Sequence, residues 1–318
     1  MQKREIIDKL SQNNSTILSF PDRGPWGESS YRGNCSGWIQ AFCIWKYKVK
    51  KMAELFAGSG TGSDVCRDMG IEYIGADLNP NPKRDNILVC NAITDEVPDN
   101  FRDADFWFMH PPYGAEINIP YAGSMYPDPD GELSKSDLGQ LAWEKFISEL
   151  NKVIMKFYAA MPKGAQMGIL MGDVKRAGVL HSMLTDVVKP GQPVQIIIKA
   201  QHNCVSEGRK YANASFVPIV HEYLYILKKI EDFIVSFFLP TKHEIDIRNS
   251  TDATWKDIVL ACVRKLKSAT LDKIYNLLDG CKKAVNNQHW KEKIRQTLQQ
   301  LRDKGLVVSP AQGVWQVA

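Results

Sequence analysis

The sequence predicts an α/β protein with a mostly parallel sheet, and two observations carry this prediction. Between residues 52 and 228, short apolar runs alternate with longer segments. The segment 138–161 repeats its apolar residues at helical spacing and ends at Pro162. Strands that alternate with helices are typical of a parallel sheet covered by helices. The predicted strands are 52–57, 73–78, 87–92, 104–109, 168–173, 194–200 and 221–227.

A second, smaller domain is predicted from a change of period near the carboxyl end. The polar stretch 239–253 is predicted to be a linker, which leaves a first domain over 1–238. From 254 to 318 the apolar period becomes 3.6 through three segments, and two short strands follow around a Ser-Pro-Ala-Gln-Gly turn. Three helices and a hairpin form the winged-helix arrangement. Thr270 suits the N-cap of the second helix, and Gly305 suits the end of the third.

Composition excludes several classes of protein. The chain has 318 residues and is 44% hydrophobic, so it can bury a large core and is not a disordered chain. No apolar run approaches the roughly 20 residues that cross a membrane, and the amino end has no apolar signal core. The seven cysteines form no Cys-x-x-Cys pair, so we expect neither a disulfide framework nor a metal site. A cytoplasmic location fits best.

The positive charge of the chain lies in its tail. Residues 251–318 hold 12 Lys and Arg against 6 Asp and Glu, a net charge of +6, whereas the whole chain carries +4. A basic domain on an otherwise slightly acidic chain indicates a polyanionic partner. A solvated lysine-rich surface would give the same count.

A glycine loop follows the first predicted strand. Gly58, Gly60 and Gly62 let the backbone turn sharply and approach a ligand closely, just before a helix N-terminus. No Lys follows the last glycine, so the loop is not a P-loop. Asp77 ends the next strand, where a carboxylate can accept hydrogen bonds from both ribose hydroxyls of a nucleoside. The pattern indicates a nucleoside cofactor and leaves open whether that is NAD or S-adenosylmethionine.

A second motif, His110-Pro111-Pro112-Tyr113, follows the apolar strand 104–109. Two prolines remove two N–H donors and leave carbonyl oxygens free at the edge where ligands bind in α/β sheets. Free carbonyls suit a substrate that donates hydrogen bonds, such as an exocyclic amino group. The tyrosine ring offers a flat face on which a base can stack.

These motifs resemble those of the amino-group DNA methyltransferases, which act on adenine N6 or cytosine N4. That family places Asp, Asn or Ser before Pro-Pro and an aromatic residue after the fourth strand. LFAGSGTGS (55–63) resembles its S-adenosylmethionine loop, and HEYLYILKK (221–229) resembles its closing strand. Segment 19–40 looks like a phage or plasmid methylase segment placed before the loop, which makes the motif order similar to the γ-type arrangement. The resemblance implies a Rossmann-like S-adenosylmethionine-dependent methyltransferase sheet.

The resemblance also implies site residues. Phe56, Ala57, Gly58 and Gly60 would line the S-adenosylmethionine cofactor. Asp77 would hold its ribose, and Asn91 would approach its adenine.

In the second motif, the Pro111 carbonyl and the His110 side chain would accept the two amino hydrogens, with Pro112 completing the motif. Tyr113 would stack on a base flipped out of the duplex. His110 departs from the family pattern, because imidazole accepts through one nitrogen only when it is neutral. A structural role for His110, with Pro111 accepting alone, is the alternative.

The tail resembles winged-helix domains of restriction and modification proteins, which implies double-stranded DNA as the partner. Its third helix, 286–304, would enter the major groove. The residues predicted to bind DNA are His289, Lys291, Lys293 and Arg295. The alternative is a dimerisation or purely packing domain, with a core stripe of Trp290, Ile294, Leu298 and Leu301.

Further contacts are predicted outside these motifs. The Gly-, Pro- and Asp-rich segment 114–139 is a candidate mobile lid over the base, or a plain surface loop. Basic and aromatic residues at 209–211, with Trp26, Tyr31 and Arg32, are candidates for the DNA backbone.

We therefore expect a site-specific DNA methyltransferase, with adenine N6 as the first candidate for the methylated atom. Cytosine N4 is the nearest alternative, followed by an RNA or protein-amine methyltransferase and by a non-enzymatic DNA-binding regulator. The sequence leaves open a restriction endonuclease partner, a phage or mobile-element context and the oligomeric state.

Overall fold

The computed structural model describes residues 1–117, 119–202, 216–240 and 245–318. The chain divides into two compact units, Met1–Pro240 and Thr241–Ala318. The division falls inside the segment 239–253 that the sequence predicts to be a linker. No helix of the described residues is both long and apolar enough to cross a membrane.

The first unit contains five helices and eleven strands among its described residues. The helices are α1 Lys3–Ser11, α2 Gly37–Tyr47, α3 Thr61–Met69, α4 Trp143–Ala160 and α5 Met183–Asp186. The strands are β1 Ile17–Ser19, β2 Lys51–Leu55, β3 Glu72–Asp77, β4 Ile87–Val89, β5 Phe106–Met109, β6 Gln166–Arg176, β7 Val179–Ser182, β8 Lys189–Pro190, β9 Gln192–Ala200, β10 His221–Lys228 and β11 Phe237–Phe238.

Nine of these strands form one mixed sheet in the order β1-β9-β10-β6-β5-β2-β3-β4, with β7 paired to β6. The strands β6, β5, β2, β3 and β4 are parallel to one another. Strand β10 runs antiparallel to both β6 and β9. The predicted α/β class with a mostly parallel sheet is therefore confirmed.

The strand order reverses at β2, which lies between β3 and β5. The chain leaves β2 toward β3 and β4 and later returns to the other side of β2 as β5. Ligands bind in open α/β sheets at such a reversal, outside the carboxyl ends of the strands. The glycine loop after β2 and the motif after β5 consequently lie at the same edge.

Both faces of the sheet are covered at the central strand β5, which explains why all four of its residues are apolar and buried. On β5, Trp107 packs with α4, whereas Phe106 and Phe108 belong to the core that contains α1, α2 and α3. Successive side chains of a strand point to opposite faces, so a strand buried on both sides has no polar alternation.

Two helices differ from the sequence expectation. Helix α4 begins at Trp143 rather than at residue 138, because Asp137 accepts a hydrogen bond from the Gly139 amide at 2.9 Å and closes a separate 3-10 turn, Leu138–Gln140. Helix α2 was not predicted. Eight of its residues are buried, so it lacks the one-sided apolar stripe by which a surface helix is found.

The second unit has the predicted winged-helix elements. Its helices are α6 Trp255–Leu266, α7 Leu271–Leu278, α8 Lys282–Val285 and α9 Trp290–Asp303. Its strands β12 Ser268–Thr270, β13 Val307–Ala311 and β14 Val314–Val317 form a sheet in the order β12-β14-β13. As predicted, the Thr270 side chain caps α7, and Gly305 follows α9 with a φ of +67°.

The hairpin of this unit is tighter than predicted. Strand β13 continues through Pro310 to Ala311, which the sequence predicts to be part of a turn. Proline is tolerated there because β13 is an edge strand and its register shifts between Val308 and Ala311. The short helix α8 and the strand β12 were also missed, because segments of three or four residues carry too few positions to show a period.

Candidate active site

The glycine loop after β2 takes a backbone conformation that its sequence dictates. Gly58 has a φ of +52° and Gly60 a φ of +82°, both in the left-handed region that favours glycine. Phe56 also has a positive φ, +64°. A non-glycine residue in this region is strained, and such strain is concentrated at functional sites.

Asp77, at the end of β3, holds this loop in place. Its Oδ2 accepts a hydrogen bond from the Gly58 amide at 2.8 Å, and its Oδ1 accepts one from the Asn79 amide at 2.9 Å. Burial raises the pKa of Asp77, and the nearby Asp137 adds to this effect, against the two hydrogen bonds. Each carboxylate oxygen keeps a further lone pair for a ligand.

A cavity of about 790 Å³, its open mouth included, lies at the carboxyl ends of β2, β3 and β5. We call it the loop cavity. Of the residues predicted to bind a cofactor, Phe56, Ala57, Gly58, Asp77 and Asn91 line it. Gly60 does not line it. It is the N-cap residue of α3, and a side chain there would collide with Arg84.

The lining of the loop cavity is acidic. Glu54, Asp77 and Asp137 line it, and no Lys or Arg does so among the described residues. Such a cavity favours a ligand with positive charge and disfavours one with phosphates.

Segment 114–139 supplies much of the rest of this cavity. Tyr121 and Tyr126 line it together with Tyr31, whose ring lies 6.1 Å from that of Tyr121. Asp137 fastens the segment, because its Oδ2 accepts hydrogen bonds from the amides of Tyr121 at 2.7 Å and Ala122 at 3.0 Å. The segment is therefore built into the site rather than lying apart from it as a plain surface loop.

Asn91 is tied to the same segment. Its Nδ2 donates to Ser136 Oγ at 2.8 Å, and its Oδ1 accepts from the Ile93 amide at 3.0 Å. One amide hydrogen and one lone pair remain for a ligand in the loop cavity.

Glu54 lies beneath the cavity in an unusual state. It is 3% exposed and accepts hydrogen bonds from Tyr73 Oη at 2.5 Å and from Gln40 Nε2. Burial raises the pKa of Glu54 to about 8, although both hydrogen bonds oppose the shift. The carboxyl group is therefore mostly neutral at pH 7.

The residues of the second motif stand where two cavities meet. His110 and Pro112 line the loop cavity. His110, Pro111 and Tyr113 line a second one, which we call the motif cavity. The Pro111 carbonyl oxygen accepts no hydrogen bond from the described residues, so it is free to accept one from a ligand.

Tyr113 is held by residues that the sequence did not single out. Its hydroxyl donates to Glu222 Oε1 at 2.6 Å and lies 3.0 Å from His110 Nε2. Glu222, on β10, is 5% exposed and also accepts a hydrogen bond from Lys199 on β9. Sequence offers no signal for this contact, because Tyr113 and Glu222 are 109 positions apart.

In the second unit, one side of α9 packs and the other faces solvent. Ile294, Leu298 and Leu301 are buried, and Trp290 is partly buried against the same core, so the predicted core stripe is present. Of the residues predicted to bind DNA, His289, Lys291 and Arg295 are exposed. Lys293 is half-buried, and its ammonium donates to Gln296 at 2.9 Å.

One of the further DNA candidates is wrong. Trp26 is 2% exposed and donates to Asp68 at 2.9 Å, so it cannot meet a DNA backbone. Tyr31 is half-buried and lines the loop cavity, against Gly58. Arg32 is exposed, and 209–211 lie outside the described residues. The described residues hold no cluster of His, Cys, Asp and Glu fit for a metal ion.

Comparison with known proteins gives one family match, in the second unit. Residues 251–316 match the family DpnI_C, the Dam-replacing HTH domain. This match supports a helical DNA-binding domain at the carboxyl end. No curated protein matches the chain.

The chain is similar, at low identity, to solved structures that include several proteins named as methyltransferases. N-methyltransferase NodS from Bradyrhizobium japonicum, in complex with S-adenosylhomocysteine, is 9% identical with a TM-score of 0.37, over 71% of this chain and 99% of that one. A SAM-dependent methyltransferase from Archaeoglobus fulgidus is 13% identical with a TM-score of 0.30, over 60% and 93%. TrmN from Thermus thermophilus is 12% identical with a TM-score of 0.33, over 63% of this chain and half of its own length.

The state of Glu54 predicts how stability depends on pH. An unfolded glutamate loses its proton near pH 4.3, whereas the folded one keeps it up to about pH 8. The stability contributed by this proton is complete below the unfolded pKa and is lost as the pH rises through the folded one. The slope between those values is about 1.4 kcal/mol per pH unit.

Glu54→Gln removes this titration and keeps the shape of the side chain. Urea denaturation between about pH 5 and 8 should show the wild type losing stability relative to Glu54→Gln at a slope approaching this limit. Parallel curves for the two proteins would contradict the assignment.

Proposed function

We propose that the protein is an S-adenosylmethionine-dependent DNA methyltransferase that acts on the exocyclic amino group of a flipped base, with adenine N6 as the first candidate. One observation carries the proposal. The loop cavity and the motif cavity meet at His110, so a ligand in one lies beside a ligand in the other. A methyl donor and a methyl acceptor need this arrangement.

The lining of the loop cavity supports S-adenosylmethionine over a dinucleotide. S-adenosylmethionine carries a positive sulfonium and an ammonium group, which suit the carboxylates of Asp77 and Asp137. A pyrophosphate would meet these carboxylates with no Lys or Arg beside them among the described lining residues. Asp77 would hold the ribose, Asn91 would approach the adenine, and Phe56, Ala57 and Gly58 would line the cofactor. When bound, this cofactor supplies an electrophilic methyl group.

The second motif would prepare the amino group of the base. The lone pair of an exocyclic nitrogen is delocalised into its ring, so the nitrogen is a poor nucleophile. Two acceptors that draw on its hydrogens favour a tetrahedral nitrogen whose lone pair can attack the methyl group in line. The free Pro111 carbonyl and a neutral His110 would be these acceptors, and Tyr113 would contact the base plane.

The second unit would bring the enzyme to DNA. Its match to a Dam-replacing HTH domain, its charge of +6 and the exposed Lys291 and Arg295 on α9 all favour duplex DNA over RNA or a protein amine. Helix α9 would enter the major groove, and the β13–β14 hairpin would contact phosphate.

Removal of the Asp77 carboxylate should weaken cofactor binding. Hydrogen bonds to a charged group contribute about 1.5–3 kcal/mol, so calorimetry on Asp77→Ala should show S-adenosylmethionine affinity reduced by about 10- to 150-fold. Asp103→Ala, at an exposed aspartate, is the matched control and should bind normally. Unchanged affinity in a folded Asp77→Ala protein would refute the assignment of the loop cavity.

Loss of the His110 acceptor should slow methyl transfer. A neutral imidazole accepts a hydrogen bond through its unprotonated nitrogen, and the carbonyl oxygen of an asparagine can take over that role. Single-turnover methylation should therefore be much slower in His110→Ala than in the wild type, whereas His110→Asn should keep measurable activity. Full activity in His110→Ala would show that His110 is not the acceptor.

Charge removal on α9 should weaken DNA binding in a salt-dependent way. Each lost phosphate contact lowers the slope of log affinity against log salt by about 0.9. The double variant Lys291→Gln/Arg295→Gln should reduce both affinity and slope in a fluorescence titration. The control Arg264→Gln/Lys265→Gln removes the same charge from exposed positions on α6. Equal effects of the two double variants would exclude α9 as the recognition helix.

A further inference from the structure

The carboxylate of Glu222 lies at the centre of a buried chain of hydrogen bonds that ends at His110. Glu222 is 5% exposed, and Lys199 pairs with its Oε2. Burial opposes ionisation, yet the ammonium group of Lys199 holds the pKa of Glu222 well below its usual range. Glu222 is thus a carboxylate, which can accept hydrogen bonds and cannot donate them.

This fixes the direction of the next hydrogen bond. Tyr113 Oη lies 2.6 Å from Glu222 Oε1, and a tyrosine hydroxyl has one proton. Burial raises the pKa of Tyr113 well above its usual range, with Glu222 adding to the effect, so the hydroxyl keeps that proton. Because Glu222 only accepts, the proton of Tyr113 points to Glu222.

The direction of the last hydrogen bond follows. His110 Nε2 lies 3.0 Å from Tyr113 Oη and 3.7 Å from Glu222 Oε1. Since the tyrosine proton is already committed to Glu222, Oη can only accept from His110, and Nε2 must carry a hydrogen. In a neutral imidazole the other nitrogen, Nδ1, is then the acceptor. No described residue forms a hydrogen bond with Nδ1.

We propose that Glu222 is a positioning residue that acts through Tyr113 to fix the tautomer of His110, with the proton on Nε2 and the lone pair on Nδ1. Lys199 keeps Glu222 ionised, so each hydrogen bond in the series is donated toward Glu222, from His110 to Tyr113 and from Tyr113 to Glu222. The inference rests on the proposed function, in which a neutral His110 must accept a hydrogen from the amino group of the base. Without these hydrogen bonds, a neutral His110 is free to carry its proton on Nδ1. The Nδ1–H group would then be a donor facing an amino group that also donates.

The tautomer can be observed directly, without activity. Nitrogen-15 NMR distinguishes the protonated from the unprotonated ring nitrogen of a neutral histidine, and loss of the signals in His110→Asn assigns them to His110. The wild type should show the proton on Nε2. Glu222→Gln/Lys199→Met, which removes both charges so that no buried ammonium is left unpaired, should show part of the His110 population protonated on Nδ1, because an amide can donate to Tyr113 as well as accept from it. A wild type with its proton on Nδ1, or a double variant that stays wholly protonated on Nε2, would overturn the proposal.

A double-variant cycle tests whether the tautomer matters to the reaction. Glu222→Gln/Lys199→Met should slow single-turnover methyl transfer by tenfold or more when His110 is present. In the His110→Asn background it should slow transfer less than threefold, because an amide has no tautomer to fix. Equal losses in both backgrounds would mean that the pair only supports the fold and would overturn the proposal. If the wild type methylates no DNA at all, the proposed function fails, and the NMR result still decides the tautomer.

Discussion

The position of β2 between β3 and β5 is the constraint on which the candidate site depends. Each of these strands ends at the same edge of the sheet and delivers one part of the site. Strand β2 delivers the glycine loop, β3 delivers Asp77, and β5 delivers the motif that begins at His110. Hydrogen bonds between the strands set their register, so the backbone itself places the three parts of the site next to one another.

Buried polar groups determine the charge and the hydrogen-bonding properties of each cavity. Asp77 accepts a hydrogen bond from the Gly58 amide and also lines the loop cavity. One side chain therefore fixes the shape of the glycine loop and contributes negative charge to the cavity. In the motif cavity, Glu222 and Lys199 form an ion pair beneath Tyr113 and His110. A buried ion pair contributes little net stability. Its proposed role is instead to set the direction of the hydrogen bonds to Tyr113 and His110.

Much of the fold and part of the site can be predicted from the sequence, because both depend on local patterns. The central strands are apolar runs, and the glycine loop and the two prolines are contiguous in the chain. Residues that join the site from distant segments could not be found in this way. Glu222 and Lys199 come from the strands β10 and β9, and Tyr31 comes from the segment before α2. In the sequence each is an ordinary strand or loop residue, and only the folded structure brings it next to one of the two cavities.

Exposure and burial were a second source of error. Trp26 and Tyr31 lie in a polar, aromatic stretch that is typical of a nucleic-acid surface, yet Trp26 is buried and Tyr31 lines the loop cavity. The helix α9 was better suited to prediction, because a surface helix separates its buried and exposed residues by period. The 3.6-residue period of the apolar residues identified the face that packs, and the charged residues lie between them on the other face.

The most direct test of the proposed activity is a methyl-transfer assay with labelled S-adenosylmethionine and three acceptors, namely duplex DNA, RNA and protein, followed by nucleoside analysis. We expect label in duplex DNA, recovered as N6-methyladenine or, failing that, N4-methylcytosine, and strongly reduced in His110→Ala. Label in RNA or protein with none in DNA, or no transfer by a folded protein that binds the cofactor, would contradict it.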